Sequence, residues 1–560
     1  MLLGIDVGGT STDGVLLHEG VLLKSVKRPN DSSDLAETIF TVLDELLDGR
    51  EAGAVRRLVI STTLVTNILA TGSGARTALI LIPGRGLPFE YYRIAPDTYF
   101  LKGSIDFRGN ITEEIDPAEV EKAVQDIRRK GIERIAVAAK FAQRNRSLEQ
   151  EIARMVGRLH PGATMVLGSE VAGRMNFPRR AVTAYYSAVT APEWGKFADR
   201  VEEAVQRRGL KAPVHILKAD GGTMPLAVSR RNPVETVFSG PAASAMGAVA
   251  LSRRQENAVM IDMGGTTTDI ALLIDGVPLH ASKGARIEGR FTHIQALALR
   301  SLALGGDSAV KGANGQAEIA AQRLGPAACL GGPAATLTDA VACHRGLAIG
   351  DMARAREKIA GEAARAGCEP DPFAAAVTEE ALARLERLIL EMFREWEDEP
   401  AYKVWEIVHR RRFRLDRIIG IGGAAELIVP LLAEKMGVPC MVHRLAPTAN
   451  ALGAAVARPT LAVSLYADTQ QKRLLIDQEG IEERIADPDA FQLDDAREKA
   501  VEHLARLAAA KGMVACLHGV RVQMAEQFNM IRGYSRVGKI FQVEAQIVPG
   551  LIDEFKGVAK

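Results

Sequence analysis

One motif occurs twice in this 560-residue chain, and the repetition limits what the chain can fold into. Asp6-Val-Gly8-Gly9-Thr10-Ser-Thr12-Asp13 opens the sequence, and Asp262-Met-Gly264-Gly265-Thr266-Thr267-Thr-Asp269 returns 256 residues later. The flanks match too. LLGIDVGGTSTDGVLL and AVMIDMGGTTTDIALL each predict a strand, a tight glycine turn and a second strand. A single Asp-Gly pair also marks an ordinary hairpin. Two copies in matched contexts predict a duplicated domain with one phosphate-gripping hairpin in each half.

The residue types suit that task. Gly8, Gly9, Gly264 and Gly265 let backbone N–H groups approach phosphate oxygens with no Cβ in the way. The hydroxyls of Thr10, Thr12, Thr266 and Thr267 add neutral donors. Asp6 and Asp262 end apolar runs and are expected to point into the cleft. A carboxylate beside phosphates is repelled unless a cation lies between them. That implies Mg²⁺, which keeps several waters and uses one or two carboxylates with phosphate oxygens. Asp6 and Asp262 are therefore the candidate catalytic and metal-holding residues. Asp13 and Asp269, which close the hairpins, are read as orienting groups.

A third glycine site lies at Ile421-Gly422-Gly423-Ala-Ala425, between a predicted strand and a helix. Tight strand–helix packing explains such a turn by itself. It also lets a flat ring or an α-phosphate approach a helix N-terminus. With the two hairpins it completes a nucleotide cradle.

Composition excludes other classes. Apolar residues make up 47% of the chain and charged residues 25%, as in ordinary globular proteins. A net charge of +1 offers no electrostatic pull on nucleic acid or an anionic membrane. The five cysteines are scattered, with no C-x-x-C pair, so a reducing, cytoplasmic setting is expected without a zinc site or disulfide framework. No signal peptide is expected at MLLGIDVGG, and no apolar run is long enough to span a bilayer. The histidines include no H-x-x-H pair. His160, His280, His293, His344 and His518 are read as surface or core groups, and Cys329 as a packing residue. Trp396 and Trp405 are read as core or interface, and the basic run 409–412 as a solvated helix face.

The pattern along the chain places strands at LLGIDV, RRLVIST, TALILI, ERIAVAAKFA, TMVLGS and VHIL. Helices are predicted after residue 31 (capped by Asp31 or Ser32), from Pro117, over 179–210 and over much of 350–416. Three regions follow. Residues 1–178 carry the first hairpin. Residues 179–459 carry the second hairpin and the Gly422-Gly423 turn. Residues 460–560 form a small α+β region with a helix at 494–511 and strands at 528–535 and 538–548.

The two hairpins and the adenosine-side turn resemble the actin, Hsp70 and sugar-kinase superfamily, in which two ribonuclease-H-like halves close over ATP and Mg²⁺. The segments between them resemble the hydantoinase A / 5-oxoprolinase family over essentially residues 1–460. Asp220-Gly221-Gly222, Ser239-Gly-Pro-Ala-Ala243, Gly325-Pro-Ala-Ala-Cys329 and Thr336-Leu-Thr-Asp-Ala340 fit its pattern. So does Arg180-x-x-Thr183-x-x-x-Ser187-Ala188-x-x-x-Pro192, with Ser187 where Asn is usual. Residues 61–67 resemble a His-Gly-Thr-Thr-x-x-x-Asn segment, with Ser61 near the His position. Gly305-Gly306-Asp307-Ser308 has Asp for the third Gly. Family A subunits usually have a longer C-terminal region.

The resemblance implies an ATP-dependent amidohydrolase that activates a lactam or cyclic-imide carbonyl by phosphoryl transfer. It also implies a cyclic amide substrate, a hydantoinase B-type partner subunit and a homo- or hetero-oligomer. Ser61, Ser187 and Asp307 fall where substrate preference is expected to vary. Two other functions fit the same fold: a small-metabolite kinase, and a non-enzymatic nucleotide switch or partner-activating ATPase.

Overall fold

The two motifs fold into the same hairpin. Strand Leu2–Val7 pairs antiparallel with Ser11–His18, placing Asp6 opposite Asp13 and Val7 opposite Thr12. Strand Ala258–Met263 pairs with Thr268–Ile274, placing Asp262 opposite Asp269 and Met263 opposite Thr268. The turns close alike. Gly8 N–H donates to the Ser11 carbonyl at 2.9 Å, and Gly264 N–H to the Thr267 carbonyl at 3.0 Å. The structure, a computed structural model, describes residues 1–9, 11–30, 35–313, 315–399, 412–476 and 480–558. Thr10, the expected caps Asp31 and Ser32, Trp405 and residues 409–411 of the basic run lie outside the described residues.

Each hairpin belongs to a larger sheet. The first sheet runs Thr223–Pro225, Val214–Leu217, Arg57–Thr62, Leu2–Val7, Ser11–His18, Val21–Pro29. Leu2–Val7 is parallel to Arg57–Thr62, with Asp6 beside Ser61. The second runs Val277–Pro278, Thr268–Ile274, Ala258–Met263, Arg417–Ile421, Cys440–Val442, and Leu299–Leu302 also joins Thr268–Ile274. Here Asp262 lies beside Ile421. In both halves the aspartate therefore sits at the end of a strand whose parallel neighbour finishes next to it. Leu2–Val7 and Arg57–Thr62 are buried at every position. Strands covered on both faces read as continuous apolar runs, which is what the sequence displays. The result is the expected pair of ribonuclease-H-like α/β halves.

The first sheet crosses the division placed at residue 178. Its strands Val214–Leu217 and Thr223–Pro225 follow the long helix Phe177–Arg207, yet Val214–Leu217 pairs with Arg57–Thr62. Pairing across so many residues leaves no local mark in sequence. A separate parallel sheet, Thr164–Leu167, Arg134–Ala139, Thr77–Ile82, Thr98–Phe100, packs with helices Pro117–Arg129 and Ser147–Leu159 around Ile80, Val124, Val137 and Ile152.

Two helices of small residues, Ser239–Ser252 and Ala449–Val456, lie between the halves. Their backbones nearly touch. A Cβ added to Gly453 would lie 2.1 Å from the Ala243 carbonyl oxygen, and one on Gly247 would lie 2.2 Å from that of Ala449. Gly4 meets the same helix, with 2.1 Å to the Ala451 carbonyl oxygen. Only glycine permits this approach, and the approach brings polar residues of both helices to the cleft.

Residues 461–547 form the expected α+β region. An antiparallel sheet runs Ile481–Arg484, Arg473–Ile476, Leu461–Asp468, Ser535–Ile547, Val520–Arg532, and helix Leu493–Ala510 packs on it. The strand expected over 528–535 is interrupted by a two-residue turn, Gly533-Tyr534, where Gly533 takes φ +62°. The region is fastened to the first half. Arg108 pairs with the buried Asp468 at 2.9 Å, and the Arg144 guanidinium lies 3.2 Å from the Tyr466 ring centroid. Among the described residues no helix is long and apolar enough to cross a membrane.

Candidate functional site

The cleft is organised around two aspartates and one asparagine. Asp6 ends its buried strand and is 2% exposed, while Asp262 is half-buried. Asn450, near the start of helix Ala449–Val456, reaches both. Its Nδ2 lies 3.4 Å from Asp6 Oδ2 and 3.4 Å from Asp262 Oδ2. Ser244, on the facing helix, donates its hydroxyl to Asp262 Oδ2 at 2.5 Å. The two hairpins therefore face one another across the small-residue helices.

Burial shifts the carboxylates of the cleft. Burial pushes the Asp6 carboxyl up to about 7, with Asp13 and Asp262 adding to the rise and the Ser61 hydroxyl and Asn450 amide opposing it. Burial also raises Asp262, against the pull of Ser244, Asn450 and Lys27, and lifts Asp269 to about 6 with help from Asp262. Asp6 Oδ1 is buried without a hydrogen-bond partner. An orphaned carboxylate oxygen beside a second carboxylate fits a hydrated Mg²⁺. Among the described residues no group of three or more His, Cys, Asp or Glu side chains gathers into a metal cage. The donor set thus suits an ion that arrives with phosphates and water.

The first hairpin is braced from outside the motif. Asn30 donates its amide to the Gly8 carbonyl at 2.7 Å and accepts the Thr12 hydroxyl at 2.7 Å. Thr12 is fully buried. The expectation that its hydroxyl grips phosphate is therefore corrected: it holds the loop. Thr268, the equivalent residue of the second hairpin, likewise donates inward to the Leu304 carbonyl at 2.6 Å. Gly8, Gly9, Gly264, Gly265, Thr266 and Thr267 keep accessible surface at the turns, with Gly9 and Thr267 the most exposed. Asp13 is held by Lys27 at 2.8 Å, as suits a residue that closes the hairpin.

The third glycine site joins the same cleft. Gly422 takes φ +87°, and a Cβ there would lie 2.5 Å from both Asp262 Oδ1 and the Met263 carbonyl oxygen. Its N–H donates to the Ala446 carbonyl at 3.0 Å. Gly423 has open space on its side-chain face. The turn lies against Asp262 and leaves room above it.

The three departures from the family pattern scatter. Ser61 is buried beside Asp6, its Oγ 3.5 Å from Ser239 Oγ. Ser187 donates to Asn232 Oδ1 at 2.8 Å. Asp307 packs against the second hairpin. Its N–H donates to the Gly265 carbonyl at 2.8 Å, and its carboxylate pairs with Arg323 at 2.9 Å. Cys329 is buried, and burial with the Asp339 carboxylate pushes its thiol up to about 12, as suits a packing residue.

Sequence reasoning missed Asn450, Ser244, Lys27 and Asn30. Asn450 and Ser244 carry a usable signal: each is a polar residue in a helix rich in Ala and Gly, whose backbone must be close to something. Lys27 and Asn30 carry none, because only strand register brings them to the hairpin.

Known proteins share this chain's sequence pattern and fold. The pattern of the hydantoinase/oxoprolinase family matches residues 180–463, and that of the hydantoinase/oxoprolinase N-terminal region matches residues 2–159. The caprolactamase subunit alpha of Pseudomonas jessenii is 25% identical over 298 residues, 48% of this chain and 43% of that protein. An uncharacterised protein of Methanocaldococcus jannaschii is 22% identical over 301 residues, 50% of this chain and 44% of its own length. The chain thus spans less than half the length of these curated relatives. Among solved structures, a nucleotide-free acetone carboxylase superposes with a TM-score of 0.72 at 16% identity, covering 99% of this chain and 88% of that one. The ATP-dependent caprolactamase of P. jessenii superposes with 0.70 at 19% identity, covering 97% and 87%. With both family patterns matched in order around a shared cleft, the chain belongs to the hydantoinase/oxoprolinase family.

Proposed function

We propose that the cleft binds ATP with Mg²⁺ and that the chain is the ATP-using part of an amidohydrolase acting on cyclic amides. The carrying observation is the pair Asp6 and Asp262, set on equivalent hairpins and joined by Asn450. The family membership and the likeness to caprolactamase support the substrate class.

An amide is a poor electrophile because nitrogen lone-pair donation stabilises its carbonyl. Bound ATP supplies the γ-phosphoryl group that makes the amide oxygen a leaving group, and Mg²⁺ supplies the charge that offsets its negative oxygens. The overall balance is one lactam, one ATP and two waters to one amino acid, one ADP and one phosphate. This chain's part is positioning. Asp6 and Asp262 would hold the cation. The turn N–H groups of Gly9 and Gly265 and the Thr266 and Thr267 hydroxyls would hold phosphate oxygens, whereas the Gly8 and Gly264 N–H groups, expected to do the same, are spent on the Ser11 and Thr267 carbonyls and close the turns. Asn450 and Ser244 fix the carboxylate rotamers before substrate arrives. Gly422 and Gly423 admit the adenosine end. Such preorganised dipoles and charges act chiefly on the charge that develops in the transition state.

The reading extends to a hydantoinase B-type partner within a homo- or hetero-oligomer, and to a cytoplasmic setting. The test is steady-state ADP release by the purified chain against lactams, hydantoins and 5-oxoproline, with and without a B-type subunit. Lactam-stimulated ADP release is expected. Transfer of phosphate to a sugar hydroxyl with no response to lactams would establish a kinase instead. Nucleotide-dependent partner binding without turnover would establish a switch.

A further inference from the structure

We propose that a second cavity, apart from the Asp6–Asp262 cleft, binds a small organic anion through its carboxylate. The cavity measures about 660 Å³ and lies between the first half and the C-terminal sheet. That volume is in the range of small-molecule sites. Its wall carries six basic side chains against three acidic ones, in a protein whose net charge is only +1.

Most of that charge is already paired. Arg174 meets Glu544 at 2.5 Å, Lys218 meets Glu235 at 3.2 Å and Asp220 at 3.3 Å, and Arg230 meets Asp199 at 2.7 Å. Arg146 and Arg231 are different. Neither has an ion-pair partner among the described residues, and Arg146 Nη2 is buried with no hydrogen bond at all. Gly480 makes room for Arg146: a Cβ there would lie 2.5 Å from its Nη1. A buried guanidinium donor left unmet is costly, and a carboxylate is the group whose geometry matches its fork. The three acidic side chains on the same wall disfavour a dianion such as phosphate relative to a single carboxylate. Amides of Gln295 and Gln546, hydrogen-bonded to each other at 2.9 Å, also line the cavity and offer polar contacts for the remainder of the ligand.

This site is independent of the amidohydrolase reading. The test is calorimetric titration of the full chain with acetate, butyrate and inorganic phosphate. Acetate or butyrate should bind. Arg146→Ala and Arg231→Ala should each weaken binding about tenfold, the usual worth of one charge-assisted contact. Both variants should keep wild-type ATP affinity, and Asp6→Asn should keep wild-type carboxylate affinity. Arg231 is exposed, so its variant tests the site even where Arg146→Ala fails to fold. Absence of binding by either carboxylate, binding of phosphate alone, or unchanged affinity in Arg231→Ala would overturn the proposal.

Discussion

Asp6 and Asp262, 256 residues apart, meet the same amide nitrogen, Asn450 Nδ2, at 3.4 Å each. Neither hairpin alone makes this site. Two equivalent carboxylates are held toward one point by a donor on a helix that reaches the cleft because glycine lets it.

The carboxylates are expected to matter to chemistry more than to affinity. Asp6→Asn and Asp262→Asn each should lower lactam-stimulated ADP release by about 10²-fold or more, the scale seen when one electrostatic contact to a transition state is lost. Nucleotide affinity, read with a fluorescent ATP analogue, should change far less. Asn450→Ala should lower turnover less than either, since it positions without bearing charge. Wild-type turnover in both aspartate variants would refute the site.

Stability should depend on pH through Asp6. Its carboxyl titrates near 3.8 in the unfolded chain and about 7 when folded. Between those values the folded state holds a proton that the unfolded state has released. The stabilisation is therefore full below the lower value and lost as pH rises through the upper one, by up to roughly 4 kcal/mol at 1.36 kcal/mol per unit. Urea denaturation in metal-free buffer should show stability falling from about pH 5 to 8. Excess Mg²⁺, or Asp6→Asn without metal, should flatten the slope. An unchanged slope in Asp6→Asn would assign the dependence to other groups.

The helix crossing should tolerate no added carbon. Gly453→Ala places a Cβ 2.1 Å from one backbone atom and 2.4 Å from another, neither of which can turn aside. We expect a loss of about 1–3 kcal/mol, the usual cost of overpacking, with a parallel fall in turnover because Asn450 shifts. Thermal denaturation checks the first effect and ADP release the second. A wild-type melting temperature would mean that the helices separate at little cost.

Asp307→Gly restores the family pattern and removes the ion pair with Arg323. Because Asp307 packs against the second hairpin, the variant should shift the KM for ATP and leave the ranking of lactams unchanged. Competition among lactams at saturating ATP would expose the opposite result, a changed ranking, which would place Asp307 at the substrate.

Much of this architecture was legible in the residues themselves. A repeated Asp-x-Gly-Gly-Thr with matched apolar flanks dictates two hairpins, because strand burial and glycine turns are local requirements. The duplication follows, and so do the two aspartates, the turn glycines and the third site at Gly422, whose glycine proves necessary to clear Asp262. What the tertiary structure decided is which donors attend them. Thr12 carries the same hydroxyl in either role, and only strand register turned it toward Asn30 and away from the cleft. Val214–Leu217 looked like part of the second region until it paired with Arg57–Thr62. Asn450 and Ser244 reach the carboxylates because two glycine-lined helices cross at backbone contact, a relation between segments some two hundred residues apart. Local propensity encodes turns and strands, whereas partners brought together by packing depend on every element between them.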